Sequence, residues 1–250
     1  MIKLSWLVER AKDIRNSEGL LSLPRRMVSY ILLPVFSLKT LYLYEHAIEN
    51  RDGVCEDDFK PAIDAFIFKV VSSHSEADNL EADGFMFRSY PTFDNTKLKY
   101  YWKLLDKGAI AFCGFCEKDL ATMQWIVPSE KAIREVSPYR QKVNFQAGET
   151  YTQGSWSNTK YRGTRLHKYN VLFNRDPFLL ERGIKIVRNA VWDQNHARHR
   201  SLVSVGANIY GKAHLITILR WKFWCCEAPL NSEDRKKLNP SKYYRSKTEV

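Results

Sequence analysis

The chain has 250 residues, of which 44% are hydrophobic, and this is enough apolar material to bury a core in a folded domain. No apolar run reaches the roughly 18 residues that cross a bilayer, and no secretory signal is recognisable, so we expect a soluble cytoplasmic protein. The net charge of +11 favours an anionic partner. Much of that charge lies in a polar tail from residue 235 onward, which needs no ligand to explain it.

The five cysteines argue against a disulfide framework, because their number is odd and their spacing does not repeat: Cys55, Cys113, Cys116, Cys225 and Cys226. Cys113 and Cys116 have redox or metal spacing, but they lie in an apolar, strand-like run without a second pair of ligands. We therefore expect buried thiols and no metal.

Residues 1–60 are predicted to form an N-terminal extension. Leu4 to Ile14 show helical periodicity, and a longer apolar and aromatic stretch covers residues 30–44. The extension is expected to pack on the main domain as a helix and a first strand. The alternative is a peripheral membrane contact through residues 25–44, where Arg25 and Arg26 flank the apolar stretch.

The first half of the main domain, which is predicted to span residues 61–227, reads mostly as strands. Lys99–Leu105 and Ala109–Cys116 are expected to pair as a hairpin, because Lys107 and Gly108 supply turn residues between two β-prone runs. A strand or short helix is predicted at 62–71, a helix or loop at 75–83, and a strand at 121–127.

The second half alternates strands with helices, in the order 150–156, 166–182, 184–192, 195–205 and 214–224. Hairpins followed by such alternation indicate an α/β fold with a mixed, mostly antiparallel central sheet that is flanked by helices. Pro177 conflicts with a single helix over 166–182, so it either kinks this helix or starts a second one.

A basic turn follows the strand at 150–156. The segment from Gly154 to His167 runs from this strand through Arg162 and Arg165 into the next helix. A turn with exposed N–H groups at the positive end of a helix dipole favours an anion, and two arginines add full charges. The segment therefore predicts a phosphate-binding loop, and an ordinary solvated basic loop is the alternative.

The order of strand, basic turn, helix, strand, Asn195, helix and Gly206 resembles the GCN5-related N-acetyltransferases over residues 100–224. The resemblance implies the acyl-CoA N-acyltransferase fold of that superfamily for residues 61–227. The basic segment at 228–250 is expected to be a disordered tail, because it is polar and rich in Lys and Arg. Members of the superfamily usually carry Arg/Gln-x-x-Gly-x-Gly/Ala at the turn, and this frame falls on Arg162–His167, with Arg165 and His167 at the two small positions.

The resemblance also implies a set of site residues and a co-substrate, acetyl-CoA or another acyl-CoA. The residues expected to bind coenzyme A are Trp156, Arg162, Gly163, Thr164, Arg165, Leu166, His167 and Asn195. Trp156 could instead fill the core, and Asn195 could instead cap the following helix. Glu149 lies where the superfamily often has its base, and Tyr210 is a candidate acid, because Leu202 stands where many members have a tyrosine.

The implied reaction is direct transfer of an acyl group from coenzyme A to an amine, with a backbone N–H stabilising the developing charge. The expected acceptor is a small-molecule amine, with an amino sugar of surface-polysaccharide biosynthesis as the first guess by analogy. Two alternatives remain: a binding protein that keeps this fold without the chemistry, and a nucleic-acid-binding protein that uses the basic tail.

Overall fold

The computed structural model describes residues 36–48, 55–87, 95–137, 139, 141–218 and 221–231. Eight strands form one sheet: β1 (Phe36–Ala47), β2 (Phe66–Val71), β3 (Ile110–Cys116), β4 (Asp119–Val127), β5 (Glu149–Ser157), β6 (Ile186–Trp192), β7 (Asn208–Ile218) and β8 (Trp221–Pro229). The helices are α1 (His74–Ala82), α2 (Asn95–Asp106), α3 (Glu130–Val136), α4 (Leu166–Asn170), α5 (Asp176–Leu180) and α6 (His196–Ser204), with a π-helical segment, Val171–Arg175, between α4 and α5. Short 3-10 turns cover Glu56–Phe59, Phe145–Ala147 and Thr159–Tyr161.

The sheet has the strand order β2-β3-β4-β5-β6-β1-β7-β8. Every neighbouring pair is antiparallel except β5 and β6, which run parallel. Parallel strands need a crossover connection, and here α4, the π-helical segment and α5 provide it. The predicted fold class, a mixed and mostly antiparallel sheet flanked by helices, is confirmed.

Helices cover the sheet on both faces. On the face that we call the front, α1, α2 and α3 bury apolar side chains against β3, β4 and β5, including Leu80, Leu104, Ile133, Trp125 and Tyr151. On the opposite face, the back, α5 packs on β3, β4 and β6, and α6 packs on β1 and β6. Alternation along the strands therefore sends side chains to two separate cores.

β1 lies inside the sheet between β6 and β7, so residues 36–47 of the predicted N-terminal extension supply a central strand. Leu41 and Leu43 are each only 1% exposed, as expected of a central strand. The sheet also ends later than predicted, because β8 reaches Pro229. Residues 1–35, 49–54 and 232–250 lie outside the described residues, and so do the predicted helix near Leu4 and most of the basic tail.

Two predicted elements are wrong. Lys99–Leu105 belongs to α2, because Tyr101, Leu104 and Leu105 recur at helical spacing and are buried against the front core. The true partner of β3 in a hairpin is β4. The segment predicted as one strand, 214–224, is divided between β7 and β8, which form a hairpin. Aromatic β-formers thus gave misleading local signals in α2.

Pro177 starts a second helical piece. It lies in the first turn of α5, where a missing backbone N–H is tolerated, and the π-helical segment Val171–Arg175 precedes it. None of the helices in the described part of the chain is both long and apolar enough to span a membrane.

Candidate functional site

An opening between β5 and β6 interrupts the otherwise continuous sheet. The two strands pair only from Glu149 to Tyr151 against Ile186 to Arg188, although β5 continues to Ser157 and β6 to Trp192. Beyond that point β5 stays bonded to β4, and β6 stays bonded to β1. We call the space between residues 152–157 and residues 189–192 the strand gap. An extended ligand can pair there with backbone groups that the sheet leaves without a strand partner.

Gly154 explains locally why β5 leaves its neighbour. Its φ of +63° lies in the left-handed region, and the pairing of β5 with β4 shifts register beside it, between Met123 and Trp125. A β-bulge of this kind bends a strand, and glycine is the residue that adopts the required conformation without strain. The buried Trp125 ring fills the space beside Gly154, with Cδ1 3.1 Å from the position of an added Cβ.

The basic turn follows the end of β5, next to the strand gap. Arg162 and Arg165 are exposed, and Gly163 has a φ of +83° with open space around it. Arg165 has a φ of +67° although it is not glycine, and it is the residue that precedes α4. The Thr164 hydroxyl donates to the Tyr161 carbonyl at 2.7 Å and fixes the turn. Two exposed guanidinium groups are thus presented to solvent in the turn that follows β5.

Two polar side chains meet on the back of the gap. His167, from α4, and Arg198, from α6, are joined by a bond of 3.1 Å in which Nη1 of Arg198 donates to Nε2 of the histidine. Arginine can only donate, so Nδ1 of His167 carries the proton and donates to the Thr122 hydroxyl at 3.0 Å. Burial and the two nearby arginines, Arg198 and Arg175, lower the pKa of His167 to about 3, so this ring is neutral.

A second buried polar group lies beside this pair. Arg175, in the π-helical segment, donates through Nε and Nη2 to Asp176 Oδ1 at 2.9 and 2.5 Å, and through Nη1 to Gln124 Oε1 at 3.1 Å. His46 bonds the other Asp176 oxygen at 2.8 Å. Although burial opposes the charge, Arg175 and His46 keep the pKa of Asp176 below its usual value. The charges of Arg175 and Asp176 therefore offset each other.

On the front, a cavity of about 770 Å³ lies at the end of β5 and β6 where the strands are bonded. Glu149, Arg188, Tyr210 and Gln141 line it. Arg188 holds Glu149 with two bonds, of 2.6 and 3.1 Å, and also donates to Glu45 at 2.6 Å. Its guanidinium carbon lies 4.6 Å from the centre of the Tyr210 ring. The cavity thus joins a carboxylate, a guanidinium and a phenol.

The pKa shifts of Glu149 and Tyr210 indicate which of these two groups carries a charge at neutral pH. The bonds from Arg188, and a further one from the Asn144 backbone N–H, lower the pKa of Glu149 despite its burial. This carboxylate is charged and accepts a proton less readily than an ordinary glutamate, so it suits the attraction and orientation of an ammonium group. Burial raises the pKa of Tyr210, whose hydroxyl accepts a 2.6 Å bond from Gln141 and keeps its own proton to donate.

The structure separates the predicted site residues into two groups. Glu149 and Tyr210 line the front cavity, whereas the turn residues Arg162 to Arg165, followed by Leu166 and His167, lie at the other end of β5. Asn195 caps α6, because its Oδ1 accepts from the Arg198 backbone N–H at 3.2 Å. Trp156 packs against the front core, and Leu166 is buried in a small cluster on the back.

Sequence reasoning missed several residues of this region: His46, Arg175, Asp176, Arg188 and Arg198. Arg188 could have been found from the sequence, since a charged residue inside the apolar run of β6 indicates a specific partner. Arg198 could not, because in sequence it looks the same as the exposed Arg200. In the described part of the chain, no cluster of three or more His, Cys, Asp or Glu side chains is arranged to hold a metal ion.

The comparisons with known proteins find similarity in structure but not in sequence. No family model and no curated protein matches the chain. The chain is structurally similar to GCN5-related N-acetyltransferases. A tandem GNAT protein from the clavulanic acid biosynthesis pathway is 14% identical, with a TM-score of 0.43 over 78% of this chain and 55% of its own. A GNAT-family acetyltransferase from Colwellia psychrerythraea is 13% identical, with a TM-score of 0.41 over 76% of this chain and 59% of its own.

A further similar structure, a conserved protein of unknown function from Staphylococcus epidermidis, has a TM-score of 0.46 and 12% identity, over 85% of this chain and 81% of its own. The chain spans between half and two thirds of the tandem GNAT and Colwellia proteins. The likeness is in the course of the backbone.

Proposed function

We propose that this protein is an acyl-CoA-dependent N-acyltransferase that acylates a small-molecule amine. The observation that carries the proposal is the parallel pair β5 and β6, bonded over three residue pairs and then separated, within a sheet whose other pairs are antiparallel. This arrangement connects an exposed basic turn at one end to a polar cavity at the other. A long, thin ligand with phosphates at one end fits such a path.

The residues of the turn suit the phosphate end of coenzyme A. Arg162 and Arg165 offer exposed charges, and Gly163 leaves the backbone accessible. The strand gap offers backbone donors and acceptors to the two amides of the pantetheine arm. An acyl thioester supplies an activated carbonyl carbon. The uncharged amine nitrogen attacks this carbon, the carbon–sulfur bond breaks, the nitrogen gives its proton to solvent water, and the thiolate of coenzyme A leaves and is protonated.

In the front cavity, the charged Glu149 attracts and orients the amine, and Arg188 holds this carboxylate in place. Tyr210 lies in the same cavity and keeps a proton that it can donate to a leaving thiolate. The acceptor amine thus has a defined place to bind. An amino sugar of surface-polysaccharide biosynthesis is the acceptor class that we propose to test first.

The test is the release of free thiol from acetyl-CoA in the presence of amino sugars, amino acids and polyamines. We expect turnover with at least one class of amine, and a loss of about 10²-fold or more in Glu149→Gln. The matched control is Glu181→Gln, because Glu181 is an exposed glutamate that does not line the cavity. Turnover that is equal in Glu149→Gln and the native protein would contradict the proposed role of the cavity.

The second candidate function is a binding protein with this fold that has no transferase activity. The bond between His167 and Arg198 favours this candidate. His167 stands at a position of the turn where the superfamily usually has a small residue, and its side chain bonds another side chain of the protein on the back of the strand gap. Coenzyme A binding without thiol release from any acyl-CoA and amine would support this candidate. The nucleic-acid interpretation depends on the basic tail, most of which lies outside the described residues.

A further inference from the structure

Three buried side-chain atoms on the back of the strand gap have no hydrogen-bond partner among the described residues. They are Nη2 of Arg198, Nε2 of Gln124 and Oγ of Ser155. The orientation of the Gln124 amide is fixed, because its oxygen accepts from Arg175, which can only donate. The atom left over is therefore a donor. Buried polar groups normally have partners, so three such atoms in one region need an explanation.

The three atoms belong to one neighbourhood. The register of β4 and β5 pairs Met123 with Trp156 and Trp125 with Gln153, which places Gln124 opposite residues 154–155. Ser155 shares a strand face with Ser157, whose hydroxyl lies 3.4 Å from that of Thr122 on the back of the sheet. Gln124 bonds Arg175, and Arg175 is close enough to Arg198 to lower its pKa. Each of the three atoms can donate.

The charges of this neighbourhood do not balance. Arg175 is paired with Asp176 and His167 is neutral, whereas Arg198 forms no ion pair with any described residue. Burial, with Arg175 nearby, lowers the pKa of Arg198 to about 10, so the guanidinium is still charged at neutral pH. A buried cation without a counter-charge is unfavourable, and an anionic group of a ligand would remove the imbalance.

We propose that the strand gap binds an oxyanion, a carboxylate or phosphate group, between Arg198, Gln124 and Ser155. If the protein is the acyltransferase proposed above, on which this part rests, the group is the far carboxylate of a dicarboxylic acyl chain such as succinyl. The phosphates of coenzyme A are assigned to the exposed arginines of the basic turn, Arg162 and Arg165. The Arg198 guanidinium lies on the back of the gap, where it selects the acyl chain.

The experiment compares the binding of succinyl-CoA and acetyl-CoA by calorimetry, for the native protein, Arg198→Gln and Arg200→Gln. Arg200 is the matched control, because it is an exposed arginine on the same helix. We expect the native protein to bind succinyl-CoA about tenfold or more tightly than acetyl-CoA. The preference should vanish in Arg198→Gln and persist in Arg200→Gln. Equal affinities in the native protein, or a preference that survives Arg198→Gln, would overturn the acyl-carboxylate assignment.

A second arm separates this proposal from the proposed function. The melting temperature is measured with inorganic phosphate and with succinate, at constant ionic strength. If no acyl-CoA binds, but either anion raises the melting temperature of the native protein and not of Arg198→Gln, the oxyanion site stands and the acyltransferase proposal fails. If neither an acyl-CoA preference nor an Arg198-dependent shift is found, the oxyanion site is overturned.

Circular dichroism checks that each variant folds. If Arg198→Gln does not fold, Ser155→Ala replaces it, since this change removes one unpartnered donor and little volume. Under the proposal, Ser155→Ala lowers the preference for succinyl-CoA, or the shift with the small anion, by about threefold or more. No change in Ser155→Ala would then count against the site.

Discussion

Replacing Gly154 by alanine tests whether the bulge in β5 is built on glycine. Two penalties follow from the structure. A φ of +63° is unfavourable for a residue with a Cβ, by about 1–2 kcal/mol. The new Cβ would also lie 3.1 Å from Cδ1 of Trp125, which is fully buried and stacks on Tyr101, so the ring cannot yield easily. Overpacking of this kind costs about 1–3 kcal/mol.

We therefore expect Gly154→Ala to lower the free energy of unfolding by about 2–5 kcal/mol in urea denaturation at 25 °C. Gly163→Ala is the matched control, because it has a similar φ of +83° with no atom within 4 Å of the added Cβ. It should lose only the backbone penalty, about 1–2 kcal/mol. If the two variants lose the same stability, with equal dependence on urea, the contact with Trp125 is unimportant and the reasoning is refuted.

Three further predictions concern the turn, the histidine and the cavity. Arg165→Gly should relieve a left-handed φ of +67° and raise the free energy of unfolding by up to about 1 kcal/mol, while the lost charge weakens acetyl-CoA binding. His167→Gln should reduce the pH dependence of stability: the native ring stays neutral while the unfolded ring protonates below pH 6.5, so stability falls by about 1–2 kcal/mol from pH 7 to pH 5. Arg188→Met should destabilise the protein at pH 7 by about 1–3 kcal/mol, because it leaves Glu149 and Glu45 without their partner.

Each of these results has an outcome that would contradict it. For Arg165→Gly, stability and affinity must move in opposite directions, and a loss of both would show that the arginine stabilises the fold. For His167→Gln, a pH profile as steep as that of the native protein would place the effect in another group, such as His199, whose pKa burial also lowers. The effect of Arg188→Met should shrink as the pH falls through the lowered pKa of Glu149, since a protonated Glu149 no longer needs a partner. An effect that is independent of pH would argue for lost packing alone.

The sequence predicts the strands around the gap well, because β4 and β6 are rich in β-forming residues and Pro128 follows the end of β4. β4, β5 and β6 lie close to the predicted ranges, and the basic turn follows β5 as expected. α2 was misread because Tyr100, Tyr101 and Trp102 favour strands locally, whereas packing on the front core favours the helix.

The central place of β1 could not be predicted, because it depends on pairings with residues of β6 and β7 that are far away in the chain, as Leu41 is from Trp192. The contacts between polar side chains on the back of the sheet could not be predicted for the same reason. Tyr44 and His199 bond each other across 155 residues, and His46 and Asp176 across 130. His167 was predicted to bind a phosphate of coenzyme A or to cap the turn, and that stays a prediction. Its bonds to Thr122 and Arg198 could not be predicted, because they join distant parts of the chain.

The most direct test of the central claim is calorimetry with acetyl-CoA at physiological salt, for the native protein and for the double variant Arg162→Ala with Arg165→Ala. We expect micromolar binding, about −8 kcal/mol, that is lost in the double variant and kept in the control Arg200→Ala. If acetyl-CoA, succinyl-CoA and free coenzyme A all fail to bind the native protein, the strand gap and its basic turn do not form a coenzyme A site.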